Sequence, residues 1–309
     1  MKYLFILGRN PELSIAELKS YFEKVNNPII NFSRNKNAIL IEFENQIEKN
    51  TIDKLGGTIS IGQVLESSKN INDLIKKLSN QQLTEQSENK LNYVIWNFSS
   101  QEIDKLSDYL KSKFRQEKFK STEKKFSRTL KLESGKTTEN LPTDANIDEQ
   151  YFLFQDKEFY FGKITQIYNA KEQEKRDMSK PVRREELAIS PRLAKILINL
   201  SQVKESQVLV DPFCGIGVIL QEALLQNIKV IGIDKNEAVI QGCKTNLEWA
   251  NFSKNNYHLI NDDSTKVKIH SNINAIVTEP HLGILLKEIP TKQQAQKMQA
   301  ALQQEEVVI

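Results

Sequence analysis

Cysteine is scarce: Cys214 and Cys243 are the only two in 309 residues. Two thiols in different segments offer no disulfide framework and no zinc-ligand set. They fit a reducing cytoplasm. Histidine is almost as scarce. His258, His270 and His281 fall in different segments without metal-ligand spacing, so no metal is expected. No apolar run approaches the ~18 residues of a membrane span. The apolar start, Leu4 to Leu7, is shorter than the roughly 7–15-residue core of a signal peptide. No membrane association is expected. Charge of one sign is lacking too. Lys and Arg number 43 against 40 Asp and Glu, a net +3, so any grip on nucleic acid needs a local patch. No internal repeat is visible. Hydrophobic content of 39% with 27% charged residues is that of a globular chain, long enough for two or three domains.

What is there centres on Val208 to Asp234. Val208–Val210 is a short β-branched run suited to a buried parallel strand. Asp211 to Gly217 is a turn with two glycines, Val218 to Leu225 a helix, and Val230 to Ile233 a second buried strand ending on Asp234. Open α/β sheets bind ligands at such strand ends. Gly215 and Gly217 let the backbone pass close under a ligand, and Asp234 is placed to accept hydrogen bonds from ribose hydroxyls. The dinucleotide fingerprint needs a third glycine where Leu220 stands, and no Gly-Lys-Ser/Thr phosphate loop is present. Asp211 at the first turn would repel a pyrophosphate and suits a cationic or zwitterionic ligand.

Asp211-Pro212-Phe213-Cys214-Gly215-Ile216-Gly217 resembles the cofactor loop of S-adenosylmethionine-dependent RNA methyltransferases that carry a THUMP domain. It is similar in particular to that of the archaeal and eukaryotic tRNA guanosine-10 N2-methyltransferases. The opening Lys2–Ser14 and the stretch from Arg176-Asp177 to Pro191-Arg192-Leu193-Ala194-Lys195 resemble the same family. The resemblance implies an α/β fold: a Rossmann-like class I methyltransferase domain preceded by a ferredoxin-like and THUMP-like α+β region. The domains expected are 1–80 (ferredoxin-like), 91–168 (THUMP-like, RNA-binding), a linker at 169–189, irregular over 169–184, and 190–309 (methyltransferase).

The resemblance assigns roles residue by residue. S-adenosylmethionine would lie on Asp211, Phe213, Gly215, Gly217 and Asp234, with Asp263 at the adenine amino group and Asp262 as the fallback. An Asp pair in a turn is otherwise an ordinary Asx-turn or cap. The acceptor segment, usually Asp/Asn-Pro-Pro-Tyr/Phe in the family, reads Thr278-Glu279-Pro280-His281-Leu282. Glu279, Pro280 and His281 are the catalytic candidates. Glu279 would accept from an exocyclic amine and His281 would stack on the base, the register in which Thr278 is the motif's first residue; if Glu279 is the first residue, Leu282 falls at that place. Cys214 has no acceptor pocket beside it in sequence and reads as a small buried hydrophobe.

Nine Lys/Arg stand against two Glu between Lys111 and Lys131, interleaved with Phe114, Phe119 and Phe126. A solvated helix end is the plain alternative. Beside the methyltransferase unit, the pattern suggests an RNA-gripping surface with stacking rings. Lys118, Lys120, Lys124, Lys125, Arg128, Arg183 and Arg184 are the candidate contacts, and tRNA the expected partner. The rival readings are an RNA-binding protein with an inactive methyltransferase fold, and an amino-methyltransferase for DNA or protein. Four parallel strands are expected between Val208 and Val277, followed by a largely helical 284–302 with a break near Pro290 and the beginning of a fifth strand at Val307–Ile309. A class I sheet usually has seven, so a C-terminally incomplete sheet is expected.

Overall fold

An eight-stranded sheet organises the first half of the chain. The computed structural model describes residues 1–99, 102–125, 128–131, 137–141, 147–183, 189–280 and 290–306, with the backbone alone for 128–131, 137–141, 298 and 301–306. The chain divides into two units, Met1–Ala170 and Lys171–Ile309.

The first unit runs β1 (Lys2–Leu7), α1 (Pro11–Lys24), β2 (Ile29–Asn35), β3 (Ala38–Phe43), α2 (Thr51–Lys54), β4 (Thr58–Ser68), α3 (Ile71–Ser79), β5 (Lys90–Phe98), α4 (Ile103–Gln116), β6 (Lys120–Glu123), β7 (Arg128–Lys131), β8 (Thr137–Leu141), β9 (Glu149–Gln155) and β10 (Phe159–Ile167). The sheet order is β2-β3-β1-β4-β10-β9-β5-β6, and β7 and β8 form a separate hairpin. The segments 1–80 and 91–168, expected as two domains, are therefore hydrogen-bonded into one sheet, because β4 pairs with β10 along most of its length.

Alternation sorts the side chains. Phe5 and Leu7 pack under α1 with Leu18 and Phe22. Tyr93 and Ile95 pack under α3 and α4 with Leu74, Leu106 and Phe114. Leu4, Ile6, Trp96, Phe98, Phe152 and Phe154 point to the opposite face and form a cluster of their own. That face closes because the sheet coils. Asn35, at the end of β2, donates to the carbonyls of Phe98 (2.8 Å) and Gln155 (3.0 Å), which lie at the far end of the strand order. The coil centres on β4 and β10, where the register shifts twice and bulges increase twist. There a Cβ on Gly62 or Gly162 would lie 2.6 or 2.3 Å from the Phe152 ring.

The second unit runs α5 (Ala170–Ser179), α6 (Pro191–Leu200), β11 (Val208–Asp211), α7 (Val218–Leu224), β12 (Lys229–Asp234), α8 (Glu237–Trp249), β13 (Tyr257–Asn261), β14 (Ala275–Ile276) and α9 (Lys292–Glu306). Its sheet order is β13-β12-β11-β14, all parallel. Helix starts follow their caps: Ser190 Oγ accepts from the Leu193 N–H ahead of Pro191, and Asn236 Oδ1 from those of Ala238 and Val239. Leu209, Val230, Leu220 and Leu247 share one core, while Val210, Ile231 and Ile233 face the other side.

The stretch 169–184, expected to be irregular, carries α5 instead. Lys171 to Arg176 are all good helix formers, and no Pro or Gly intervenes before Pro181. The expected break near Pro290 and the expected fifth strand at 307–309 touch residues outside the described ones.

Candidate functional site

In the order β13-β12-β11-β14, chain succession reverses between β11 and β14. The carboxyl ends of these two strands border the crevice in which such sheets bind ligands. After β11 the chain turns through Asp211–Gly217, and after β14 it leaves through Val277–Pro280.

Asp211 is 1% exposed. Its Oδ1 accepts from the Phe213 N–H (3.1 Å) and from the Thr278 hydroxyl (2.6 Å). Burial pushes its carboxyl up to about 7 against these two hydrogen bonds, with Asp234 and Glu279 raising it further. Asp211 thus ties the two sides of the crevice together more than it presents a free charge. Phe213 is half-buried.

Asp234 closes the turn from the neighbouring strand. Its Oδ2 accepts from Gly215 (3.2 Å) and its Oδ1 from Asn236 (2.9 Å). Asn261, at the end of β13, donates to the Asp234 carbonyl at 3.0 Å. The two glycines differ. Gly215 has φ +51°, and a Cβ there would meet nothing within 4 Å, so it borders open space. Gly217 has φ +84°, and its Cβ would lie 2.6 Å from Cys243 Sγ. Its lack of a side chain serves the packing of α7 on α8, not the approach of a ligand.

Cys214 and Cys243 are both buried and free. Contact with Cys243 and burial push the Cys214 thiol far up, which suits a core hydrophobe and opposes a nucleophile.

Asp263 follows β13, but its Oδ1 accepts from the Thr265 N–H (3.1 Å) and it pairs with Lys266 (3.3 Å). The hydrogen bonds from Thr265 hold its carboxyl below the usual range. This is the Asx-turn alternative, and an adenine contact would have to share it. Asp262 accepts from the Asp263 N–H (2.7 Å). Glu279 and Pro280 are half-buried at the crevice, whereas His281 and Arg184 lie outside the described residues.

The structure gathers Asp211, Gly215, Asp234 and Glu279. Sequence reading gave Thr278, Asn261 and Asn246 no part in the cradle. Asn246, on α8 and fully buried, donates from Nδ2 to the Ile216 carbonyl (3.2 Å) and the Val182 carbonyl (3.0 Å). No local pattern marks any of the three. A polar residue at a strand end or on the apolar face of a helix was the only available signal.

In the first unit, Lys118, Lys120, Lys124 and Lys125 are exposed. A groove of about 720 Å³ beside α4 and β6 is lined by Lys111, Arg115, Phe119, Lys120 and Lys125 among others. Lys113 is excluded from this surface, because it is buried against Glu117 (3.0 Å) and donates to the Ser79 carbonyl. Phe114 is a core residue, fully buried against Tyr93 and Tyr151, and not a stacking platform. Phe119 lines the groove but also packs edge-on to Phe114. Phe126 lies outside the described residues, the Arg128 side chain is not described, and Arg183 is exposed next to the buried anchor of Val182.

Known proteins resemble the chain chiefly over the segment that holds this site. Residues 181–305 match the UPF0020 family, the RMKL-like methyltransferase domain. The matched segment holds the crevice, its glycine turn and Asn246. A curated protein of Methanothermobacter thermautotrophicus, named tRNA (guanine(10)-N2)-dimethyltransferase, is 36% identical over 97 residues, covering 31% of this chain and 28% of that protein. A protein of the same name from Pyrococcus abyssi is 33% identical over 119 residues, covering 38% of this chain and 33% of that protein. The chain thus spans about a third or less of the length of these relatives. Among solved structures, TrmN from Thermus thermophilus superposes with a TM-score of 0.52 at 12% identity, covering 92% of this chain and 80% of that one. This last likeness concerns the fold alone. The fold is α/β: a parallel four-stranded sheet flanked by helices, in the unit that carries the match to the methyltransferase domain, preceded in the chain by an α+β unit. No described helix is long and apolar enough to cross a membrane.

Proposed function

We propose that the chain is an S-adenosylmethionine-dependent RNA methyltransferase acting on an exocyclic amine of guanosine in tRNA. One observation carries the reading. Asp234 and the half-buried Glu279 border a crevice beside Gly215, where an added side chain would meet open space, with Asp211 buried behind them. A sulfonium nucleoside suits such a cradle: a cation, a zwitterionic tail and ribose hydroxyls meet carboxylates and bare backbone. When bound, S-adenosylmethionine supplies the methyl group on its sulfonium.

The chain's own contribution is placement. Asp234 holds the glycine turn through Gly215 and keeps lone pairs for ribose hydroxyls. Glu279 accepts from the amine that is to be methylated. Thr278 is already committed to Asp211, which supports the register with Glu279 first in the acceptor motif. That register puts Leu282, rather than His281, at the stacking position. The names of the two archaeal relatives support tRNA as the substrate. The basic groove beside Phe119 supports RNA over DNA or protein, with Lys118, Lys120, Lys124, Lys125 and Arg128 gripping phosphates in a THUMP-like role.

Calorimetry with S-adenosylhomocysteine, followed by mass spectrometry of nucleosides from tRNA incubated with protein and S-adenosylmethionine, tests the reading. Heat of binding, an N2-methylated guanosine, and loss of that product in Glu279→Gln are expected. Binding without product would leave the rival, an RNA-binding protein with an inactive fold, which the departure at Glu279–Leu282 favours. Absence of binding refutes the cradle.

A further inference from the structure

α5 and the segment that follows it are fastened to α7 and α8 by buried polar groups. Glu222 on α7 is 3% exposed and receives Arg176 of α5 at 3.1 Å, with Lys195 of α6 at 3.8 Å. Asn246 on α8 is 0% exposed and grips Val182 at both backbone groups. Its Oδ1 accepts from the Val182 N–H (3.0 Å) and its Nδ2 donates to the Val182 carbonyl (3.0 Å). The Val182 side chain is seated on Gly242, where a Cβ would approach it to 3.0 Å. The same Nδ2 also donates to the carbonyl of Ile216, inside the glycine turn. One buried amide therefore holds a segment 64 residues away in sequence and the loop proposed to cradle the cofactor.

We infer that Asn246 is a positioning residue that makes the Val182 segment part of the wall of the glycine turn, so that ordering of one and ligand occupancy of the other are thermodynamically linked. The inference deepens the proposed cofactor reading and rests on it only for the identity of the ligand. Asn is the side chain this role needs. It offers one acceptor and two donor hydrogens at a single point. Ala supplies neither, and Asp cannot donate to the two carbonyls. Linkage is reciprocal: whatever steadies the segment tightens ligand binding at the turn, and the ligand steadies the segment to the same degree. Residues 176–183, including the exposed Arg183, would thereby report on cofactor loading at the surface.

The test is hydrogen–deuterium exchange on the full chain, without ligand and with S-adenosylhomocysteine. The wild type is compared with Asn246→Ala and Arg176→Ala. Without ligand, N246A is expected to speed exchange in both 178–183 and 212–219, while β12 stays protected. R176A, which cuts only the Glu222 anchor, is expected to loosen 171–179 and leave the turn unchanged. With ligand, both stretches gain protection in the wild type, and N246A binds on the order of 10-fold more weakly, within the usual range of coupling between sites. If N246A loosens the segment but not the turn, or if R176A loosens the turn as much as N246A does, the inference is overturned. If the wild type binds no S-adenosylhomocysteine, the cofactor reading fails, and the ligand-free comparison still decides whether Asn246 links segment and turn. Should N246A not fold, Asn246→Ser keeps one donor and carries the same comparison.

Discussion

Adding one methyl group at Gly217 should do far more damage than adding one at Gly215, and trimming Cys243 should repair it. Both glycines have positive φ, +51° and +84°, where alanine costs roughly 1–2 kcal/mol of backbone strain. At Gly215 nothing lies within 4 Å of the added carbon, so strain is the whole cost to stability. At Gly217 the carbon would sit 2.6 Å from Cys243 Sγ, and that sulfur is fully buried. Overpacking adds about 1–3 kcal/mol, giving roughly 2–5 kcal/mol for Gly217→Ala. In Gly217→Ala/Cys243→Ala the overpacking part is removed, so a double-mutant cycle should show about 1–3 kcal/mol of favourable coupling. Urea unfolding of the wild type, Gly215→Ala and the three variants of the cycle measures these terms. Titration with S-adenosylhomocysteine adds the converse: Gly215→Ala, mild for stability, fills the cradle and weakens binding. Equal stability losses at the two glycines, or no coupling to Cys243, would refute the division into a packing glycine and a cradle glycine.

Asp211 gives a pH signature. Its folded carboxyl titrates near 7, above its ordinary value of 3.8, so the folded state holds a proton that the unfolded state has released. Stability therefore falls as pH rises from about 4 to 7 and levels off above that. Asp211→Asn keeps an acceptor for Thr278 and should remove this fall, as seen in denaturation midpoints at pH 5 and pH 8. In the first unit, Glu17 is fully buried and takes the N–H groups of Gly56 and Gly57, both at 2.7 Å. Glu17→Ala should cost about 2–5 kcal/mol by leaving two buried donors without a partner, read as a lower unfolding midpoint. Replacing Lys120, Lys124 and Lys125 by Gln should weaken tRNA binding at low salt. It should also flatten the plot of log affinity against log salt by roughly 0.7–0.9 per lost phosphate contact, and unchanged slopes would remove the groove from the RNA surface.

The crevice was legible where its information is local. Two buried strands, a glycine turn and an acid at a strand end are contiguous features, and β11, α7 and β12 follow them within a residue or two. Long-range partners were not legible. Thr278 meets Asp211 across 67 residues, and Asn246 meets Val182 across 64. Neither pairing leaves a trace in composition or periodicity. Gly217 was assigned to the ligand because sequence shows a missing side chain, not the neighbour that requires it. β2 carries no clear strand signal, because an edge strand can hold polar residues and leave Ile30 and Phe32 exposed. Phe114 was assigned to the surface because basic neighbours hid its place at helical spacing with Leu106 and Leu110.

The pairing of β4 with β10 also governs when the first unit can form. Ser60 waits for Ile167, and the coil that shelters Trp96 and Phe152 cannot close until β10 has been made. At about 5–20 residues per second, a ribosome takes several seconds to go from the last residue of β4 to the last of β10. Throughout that interval β4 presents an unpaired edge to its surroundings. A fragment ending at residue 80 would inherit this condition permanently, and its natural fate is association with other chains.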